Sequence, residues 1–190
     1  MSSDFFDKET FEGENFSITQ LRTGEYENCT FNNCIFNQTN LSNNVFADCV
    51  FTHCDLSMAV LRNTTFRDVK FINCKLLGLR FDECNSFLIS FEFENCILNL
   101  SSFYKLKIKN SRFTNCKLHE AEFTETDLTN STFQHCDFSN AVFDRTILEK
   151  ADLRTSINFI IDPENNKLNK AKFSLQTIPG LLNKYKISIE

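Results

Sequence analysis

SRFTNCKLHEAEFTETDLTNSTFQHCDFSNAVFDRTILEKADL, residues 111–153, is the stretch that decides the fold. A large apolar residue returns at every fifth position, and a small residue stands two places before each of them. The large residues are Phe113, Leu118, Phe123, Leu128, Phe133, Phe138, Phe143, Leu148 and Leu153. Self-similarity at a fixed short period is the sequence signature of a solenoid.

A period of five fits neither a helix nor a continuous strand. On an α-helix, a step of five residues rotates the side chain by about 140°, so the phenylalanines would scatter around the cylinder. On a strand, an odd step sends successive side chains to opposite faces. The pattern is consistent only if the chain turns a corner once per repeat, so that the large and the small residue both point inward. The sequence therefore predicts a coil wound around an inner column of Phe and Leu.

The cysteines indicate how many sides one coil has. Cys34, Cys54 and Cys74 are spaced by twenty residues, and so is the series Cys96, Cys116 and Cys136, which favours four five-residue sides over three. All nine cysteines fall in the small inward position, and none has the paired short spacing of a zinc site. We expect buried, reduced thiols, with no metal and no cofactor.

Two runs of the sequence resemble the pentapeptide repeat protein family. These are CDFSNAVF at Cys136–Phe143 and ADLRT at Ala151–Thr155. The family consensus is a small residue, then Asp or Asn, then Leu or Phe, then two polar residues. The resemblance implies an all-β fold, a right-handed quadrilateral parallel β-helix.

The repeat divides the chain into three segments. Residues 1–30 keep the large residues but place acids in the small positions, which predicts an N-terminal cap with degenerate first coils. Residues 31–155 form the repeat proper, with a two-residue bulge within 85–93, where the frame slips by two. Residues 156–190 predict a C-terminal cap with a short α-helical piece, followed by a tail, Lys186–Glu190, that alternates like an edge strand.

The bulge and the C-terminal segment are the candidate contact surfaces. The bulge is either a tolerated corner insertion or a contact loop that presents Ser86, Phe87, Leu88 and Ile89 to a partner. The C-terminal segment covers the end of the solenoid, and its apolar residues predict a homodimer interface. The interface residues are Ile178, Leu181, Leu182, Ile187 and Ile189.

Charge and composition exclude several functions. The net charge is −5, with 20 Lys and Arg against 25 Asp and Glu, so we expect no direct nucleic-acid binding. An acidic rod can instead attract proteins whose own surface is built to hold DNA, although the excess of acids is too modest for composition alone to predict such a partner. The acidic contact surface would comprise Glu120, Glu122, Glu125, Asp127, Asp137 and Asp144.

Several other functions are not expected. A filled core leaves no pocket for catalysis or for a small-molecule substrate, so we do not expect an enzyme. No apolar run approaches membrane length, and Met1–Phe11 lacks the apolar run of a secretory signal, so we expect no membrane partner. Many free thiols favour a reducing cytoplasm.

Within the family, the chain resembles the topoisomerase-protecting group, which includes the Qnr proteins and the microcin B17 immunity protein. The features that carry the resemblance are the interruption NSFLISFEF at Asn85–Phe93, and the tail motifs IDPENNK at Ile161–Lys167 and IPGLL at Ile178–Leu182. This resemblance implies a dimeric rod that imitates DNA, binds DNA gyrase or topoisomerase IV, and protects it from quinolones or a peptide toxin. The chain lacks the longer loops of Qnr proteins, and a scaffold unrelated to topoisomerases is the alternative.

Overall fold

A computed structural model of the protein describes residues 4–189. The chain winds into a parallel β-solenoid with short strands on two of its four sides. The strands are β1 (Asp4–Asp7), β2 (Thr10–Glu12), β3 (Gly24–Glu27), β4 (Thr30–Asn32), β5 (Val45–Ala47), β6 (Val50–Thr52), β7 (Thr65–Arg67), β8 (Val69–Ile72), β9 (Phe91–Glu94), β10 (Arg112–Thr114) and β11 (Thr132–Gln134). They form one sheet in the order β1-β3-β5-β7 and a second in the order β11-β10-β9-β8-β6-β4-β2.

The register between coils confirms four sides of five residues. Phe31 pairs with Phe51 in the second sheet, and Tyr26 pairs with Phe46 in the first. On the two remaining sides the coils touch through single parallel bridges, such as Asn40 with Val60. Each contact joins residues twenty apart, so the quadrilateral β-helix implied by the family resemblance is confirmed.

Aromatic rings fill the interior in two packing arrangements. Rings on the same side of successive coils stack, as Phe31 does on Phe51 with centroids 4.6 Å apart and planes at 7°. Rings on adjacent sides meet edge to face, as Phe31 does with Phe46 at 77°. Both arrangements are favourable for aromatic quadrupoles, so the ladder of phenylalanines contributes geometry as well as buried area. These rings are fully buried, and the column is therefore solid.

Most corners depend on one residue in the left-handed region. The second residue after most of the large inward residues has a positive φ, as at Asn28 (52°), Leu100 (60°) and Glu125 (56°). Asn is frequent at these corners because it tolerates this conformation better than other non-Gly residues. The polar, Asn-rich composition of the outer positions thus has a conformational cause as well as a solvation one.

The bulge shifts the register without breaking the second sheet. Phe51 pairs with Phe71 at a spacing of twenty, whereas Phe71 pairs with Phe93 at twenty-two, and the spacing then returns to twenty. Between β8 and β9 lies a 3-10 helix, Phe81–Glu83. The predicted two-residue insertion is therefore present, and the coils on both sides remain parallel.

The C-terminal end departs from the prediction in two places. Parallel bridges continue to Lys167 and Lys172, so the coil extends beyond residue 155, where the repeat was predicted to end. The cap follows as helix α1 (Pro179–Leu182) and a 3-10 helix, Asn183–Tyr185, with Leu181 packed on the core. Lys186–Ile189 form no strand, so the edge-strand prediction is wrong for these residues. Glu190, like Met1–Ser3 of the predicted N-terminal cap, lies outside the described residues.

Gly180 fits the cap closely against the last coil. Its carbonyl accepts a hydrogen bond from the Ile161 N–H at 3.0 Å. A Cβ at this position would overlap the carbonyl oxygen and the ring of Phe159. The close approach of the two backbones therefore requires glycine at residue 180.

Candidate binding surfaces

The interior of the solenoid offers no reactive group. All nine cysteines are free and buried. Burial raises the pKa of the Cys49 thiol to about 12, and a hydrogen bond with Cys116, together with burial, raises that of Cys96 to about 12. A protonated thiol is neither a nucleophile nor a metal ligand. Residues 4–189 also hold no cluster of three or more His, Cys, Asp or Glu arranged for a metal ion. Candidate sites therefore lie on the outer surface.

The bulge is the largest irregularity on that surface. It interrupts the first sheet, which ends at β7. Phe87 and Leu88 project from it with 72% and 60% of their surface exposed, and Ser86 is exposed beside them. The side chain of Ile89 is only 7% exposed and packs into the core. Ile89 is therefore a core residue, and its prediction as a contact residue was wrong.

Hydrogen bonds fix both ends of the bulge. The Asn85 N–H donates to the Thr64 carbonyl at 2.9 Å, and the Ser90 N–H donates to the Phe66 carbonyl at 3.1 Å. The hydroxyl of Ser90 accepts from the Asp68 N–H at 2.7 Å and donates to the Asp68 carboxylate at 2.9 Å. Because both ends are anchored, the exposed side chains between them are presented in one arrangement.

A shallow groove of about 400 Å³ runs beside the bulge. Its walls carry charges of both signs and come from the coils on either side. Lys70 and Arg112 both bind the Glu92 carboxylate, at 3.1 and 2.8 Å. The lining residues are Asp68, Val69, Lys70, Ser90, Phe91, Glu92, Lys109, Asn110, Ser111 and Arg112.

The predicted acidic surface is divided among three sides of the solenoid. Glu122 forms bridges with Ser102 and Val142, Asp127 with Lys107 and Ile147, and Asp137 with Lys117 and Ile157. These three ladders belong to three different sides. The structure therefore does not bring the predicted acids together on one face.

Three of these six acids are also neutralised by Lys or Arg within the chain. Glu125 binds Lys105 at 3.7 Å and Arg145 at 3.0 Å. Arg145 also binds Asp144 at 3.0 Å, and Lys109 binds Asp127 at 3.2 Å. Glu122 accepts a hydrogen bond from the Ser102 hydroxyl at 3.2 Å, whereas Glu120 is exposed. The shaft thus carries a patchwork of paired charges.

Hydrogen bonding holds Asp137 in its charged form. Burial would raise its pKa, but hydrogen bonds from Asn158, Ser139 and His119 outweigh it and lower the pKa to about 2. The Ser139 hydroxyl donates to Asp137 Oδ1 at 2.7 Å, Asn158 Nδ2 donates to the same oxygen at 2.8 Å, and His119 Nε2 lies 2.9 Å from Asp137 Oδ2. This carboxylate is therefore held by side chains of its own coil and of the two neighbouring coils.

The unbalanced negative charge lies at the N-terminal end. Residues 4–27 hold seven carboxylates against two cations, a net charge of −5 that equals the charge of the whole chain. The rest of the chain is therefore neutral. The acids of this end are Asp4, Asp7, Glu9, Glu12, Glu14, Glu25 and Glu27. The sequence analysis had noted acids in the small positions of residues 1–30, and the structure places these residues in the first coils.

The predicted dimer residues differ in exposure. Ile187 and Ile189 are 58% and 52% exposed, whereas Ile178, Leu181 and Leu182 are half-buried in the cap. A small groove lined by Pro179, Leu182, Asn183, Lys186, Ile187 and Ile189 joins the two groups. Leu175, which was not among the predicted interface residues, is the most exposed apolar side chain of the cap, at 83%.

Sequence reasoning missed two cations beside the bulge. Arg67 ends β7, one coil before the bulge, and Lys107 stands one coil after it on the same side. Both are exposed, and neither has an ion-pair partner within residues 4–189. The twenty-residue period could have placed them there once the two-residue shift was allowed for.

Comparison with known proteins identifies the repeat. The family model for the pentapeptide repeat region matches residues 24–92 and 86–158. Two solved structures of QnrB1, a plasmid-mediated fluoroquinolone resistance protein, are similar over the whole chain. The full-length form is 20% identical with a TM-score of 0.65, covering 97% of this chain and 100% of that one. A trypsin-treated form is 21% identical with a TM-score of 0.66, covering 97% and 99%.

No curated protein sequence matches the chain. Among the described residues, no helix has the length and apolar character needed to cross a membrane.

Proposed function

Because the chain belongs to the pentapeptide repeat family, we propose that it is a non-enzymatic, DNA-mimicking binding protein that acts on bacterial DNA gyrase or topoisomerase IV. In this role it protects the enzyme from quinolones or from a peptide toxin. The observation that carries the proposal is the full-length likeness to QnrB1, a fluoroquinolone resistance protein, at a TM-score of 0.65. A solid core without a reactive thiol supports binding, as opposed to catalysis, as the mode of action.

The proposed working form is a homodimer joined through the C-terminal segment. Exposed Ile187 and Ile189, beside half-buried Leu182, supply an apolar surface at the end of the rod. Isologous pairing of this surface would remove it from water. Nine free thiols favour the cytoplasm as the compartment where the protein acts.

Mimicry of DNA in this protein rests on shape and on one charged end. Glu125, Asp127 and Asp144 are paired with cations, and the predicted acids are divided among three sides, so they do not form a continuous negative stripe. The first coils carry the full net charge of −5. We therefore propose that the N-terminal end enters the positively charged DNA-binding surface of the topoisomerase, while Glu120 and Glu122 make auxiliary contacts on the shaft.

A supercoiling assay tests the proposal. Supercoiling of a plasmid by purified gyrase is measured with and without a quinolone, and with and without the protein at micromolar concentration. We expect the protein to restore supercoiling in the presence of the drug, or to inhibit it in the drug's absence. If the protein changes neither reaction, with quinolone or with microcin B17, for gyrase or for topoisomerase IV, the proposal is wrong.

A scaffold for a protein other than a topoisomerase is the second candidate. The neutral net charge of residues 28–190 favours it, because a rod that imitates DNA along its length would be acidic throughout. A pull-down with the tagged chain separates the two candidates. Recovery of a different partner, with gyrase and topoisomerase IV absent, would support the scaffold.

A further inference from the structure

The bulge combines exposed apolar side chains with positive charges on the coils that flank it. Phe87 and Leu88 are the exposed apolar side chains at its tip. Arg67 lies on the coil before and Lys107 on the coil after, and neither is neutralised within the described residues. By contrast, Lys105 and Lys109 bind carboxylates. Arg67 and Lys107 thus present two unpaired positive charges on the coils that flank the bulge.

Leu88 is an apolar residue at a left-handed corner, as Met58 and Leu100 also are. Its φ of 57° is that of the ordinary corner, where a side chain other than Asn or Gly costs about 1–2 kcal/mol. The leucine is 60% exposed, so burial does not offset this cost. The bulge is distinguished by the exposed ring of Phe87 next to Leu88, and not by its backbone conformation.

The conformation of the bulge is fixed before any partner binds. Asn85 is bonded to Thr64, Ser90 is bonded to Phe66 and Asp68, and buried Ile89 anchors the bulge to the core. An aromatic side chain that is already fixed loses little conformational entropy on binding. Such residues make the dominant energetic contributions in protein interfaces.

We propose that the bulge and the adjoining groove bind an acidic peptide segment of a partner protein that carries an aromatic or aliphatic anchor. The anchor packs on Phe87 and Leu88, and carboxylates of the segment pair with Arg67 and Lys107. The backbone of the segment lies along the groove, where Asn110 and Lys109 offer donors. The proposal shares with the proposed function only the premise of a non-enzymatic binding protein, and it does not depend on a topoisomerase partner.

The charges of the groove favour a peptide over other anions. Asp68 and Glu92 line it alongside Lys70, Lys109 and Arg112. Carboxylates at this position repel the closely spaced charges of a nucleic acid or an anionic membrane. A peptide can place its own acids over the cations and leave Asp68 and Glu92 facing its neutral or basic residues.

Selection from a displayed library of random 12-residue peptides tests the inference on the full-length chain. We expect enriched peptides to be acidic and to contain Phe, Trp, Leu or Ile. The variant Phe87→Ser/Leu88→Asn should weaken a selected peptide at least about tenfold, as loss of an interface anchor does. Arg67→Glu/Lys107→Glu should have a similar effect that diminishes at high salt. Both pairs change exposed residues, so circular dichroism should show an unchanged fold.

A matched control uses the far side of the rod. Leu100→Asn/Lys117→Glu changes an exposed leucine with a φ of 60° and an exposed lysine without an ion pair within residues 4–189. This control should bind the selected peptides as the parent chain does. Three results would overturn the inference: enrichment of basic peptides, selected peptides that bind the bulge variants undiminished, or bulge-dependent binding to phosphatidylserine vesicles without peptide binding. None of these results bears on the supercoiling assay, so the two proposals fail separately.

Discussion

The corner residues show how much of the outer sequence is set by backbone conformation. At most corners the left-handed residue is Asn or another polar residue, whereas Met58 and Leu100 are apolar and about half exposed. Leu100 therefore combines an unfavourable φ with poor solvation.

Replacing Leu100 with Asn should stabilise the fold by about 1 kcal/mol, because Asn adopts the left-handed region more readily. The reciprocal change Asn130→Leu should destabilise it, since Asn130 has a φ of 62° and donates to Asn110 at 2.8 Å. Urea unfolding of both variants measures the effect. A less stable Leu100→Asn would show that the leucine is held by packing and not merely tolerated.

The inward cysteines act as hydrogen-bond donors as well as small apolar residues. Cys74 Sγ donates to the Phe51 carbonyl at 3.3 Å, and at equivalent positions Thr64 and Ser101 donate to the Leu41 and Leu76 carbonyls at 2.8 Å. The small inward position therefore accommodates a sulfur or an oxygen donor that bonds to the equivalent backbone carbonyl. This explains why Cys, Ser and Thr alternate at this position of the repeat.

Cys74→Ser should accordingly be tolerated, at a cost of about 1 kcal/mol or less, because the donor is retained. Cys74→Ala should cost more, because it removes the donor and leaves a small cavity. Chemical denaturation under reducing conditions compares the two. Equal stability of both variants would mean that the hydrogen bond contributes nothing.

At the scale of the bulge, the sequence predicted the position of the irregularity but not its orientation. The slip of the five-residue frame located the insertion within 85–93. It did not indicate that Ile89 points inward while Phe87 points outward. That choice depends on the tertiary hydrogen bonds of Asn85 and Ser90 and on the space left in the core where Ser86 faces solvent. A one-dimensional pattern does not contain this information.

Ile89→Ala should destabilise the protein by about 2–5 kcal/mol, as truncation of a buried isoleucine does. Phe87→Ala, two residues earlier, should change stability by less than about 0.5 kcal/mol, because its ring is in solvent. Thermal and urea unfolding measure both. A reversed order of the two effects would place Phe87 in the core and remove the proposed binding surface.

The contacts of Asp137 make stability depend on pH. Its pKa in the folded state is about 2, below the value of about 3.9 for an unperturbed Asp in an unfolded chain. The unfolded state therefore binds more protons in this window, and the stabilising contribution is present above pH 4 and is lost as the pH falls towards 2. In Asp137→Asn the free energy of unfolding should fall less steeply between pH 4 and pH 2. An unchanged slope would mean that these hydrogen bonds do not favour the charged form.

For the whole molecule, the solenoid and its four sides were predictable because both follow from a period. The large residue every fifth position and the cysteines every twentieth specify inward positions and the number of sides without any tertiary information. Ion pairs between coils were harder to predict from the sequence. Arg145 reaches Glu125, and Lys70 reaches Glu92, only because of the register, which the bulge changes from twenty to twenty-two.

The distribution of charge over the molecule changes what mimicry of DNA requires of this protein. With a net charge of −5 confined to residues 4–27, any electrostatic attraction to a DNA-binding surface acts at one end of the rod. Replacing Glu9, Glu12 and Glu14 with Gln should therefore weaken topoisomerase binding more than replacing Glu120, Glu122 and Glu125. Both triple variants remove three negative charges, so each is the control for the other in a binding titration. The opposite order would place the contact on the shaft.

The proposed DNA mimicry is tested by direct binding to gyrase in the absence of DNA and drug. Fluorescence anisotropy of the labelled chain is measured while reconstituted gyrase is added, and linear DNA is then added as a competitor. We expect saturable binding at micromolar gyrase or below, reversed by DNA and weakened by salt. Binding that DNA does not displace, or no binding to either gyrase or topoisomerase IV, would contradict the proposed mimicry.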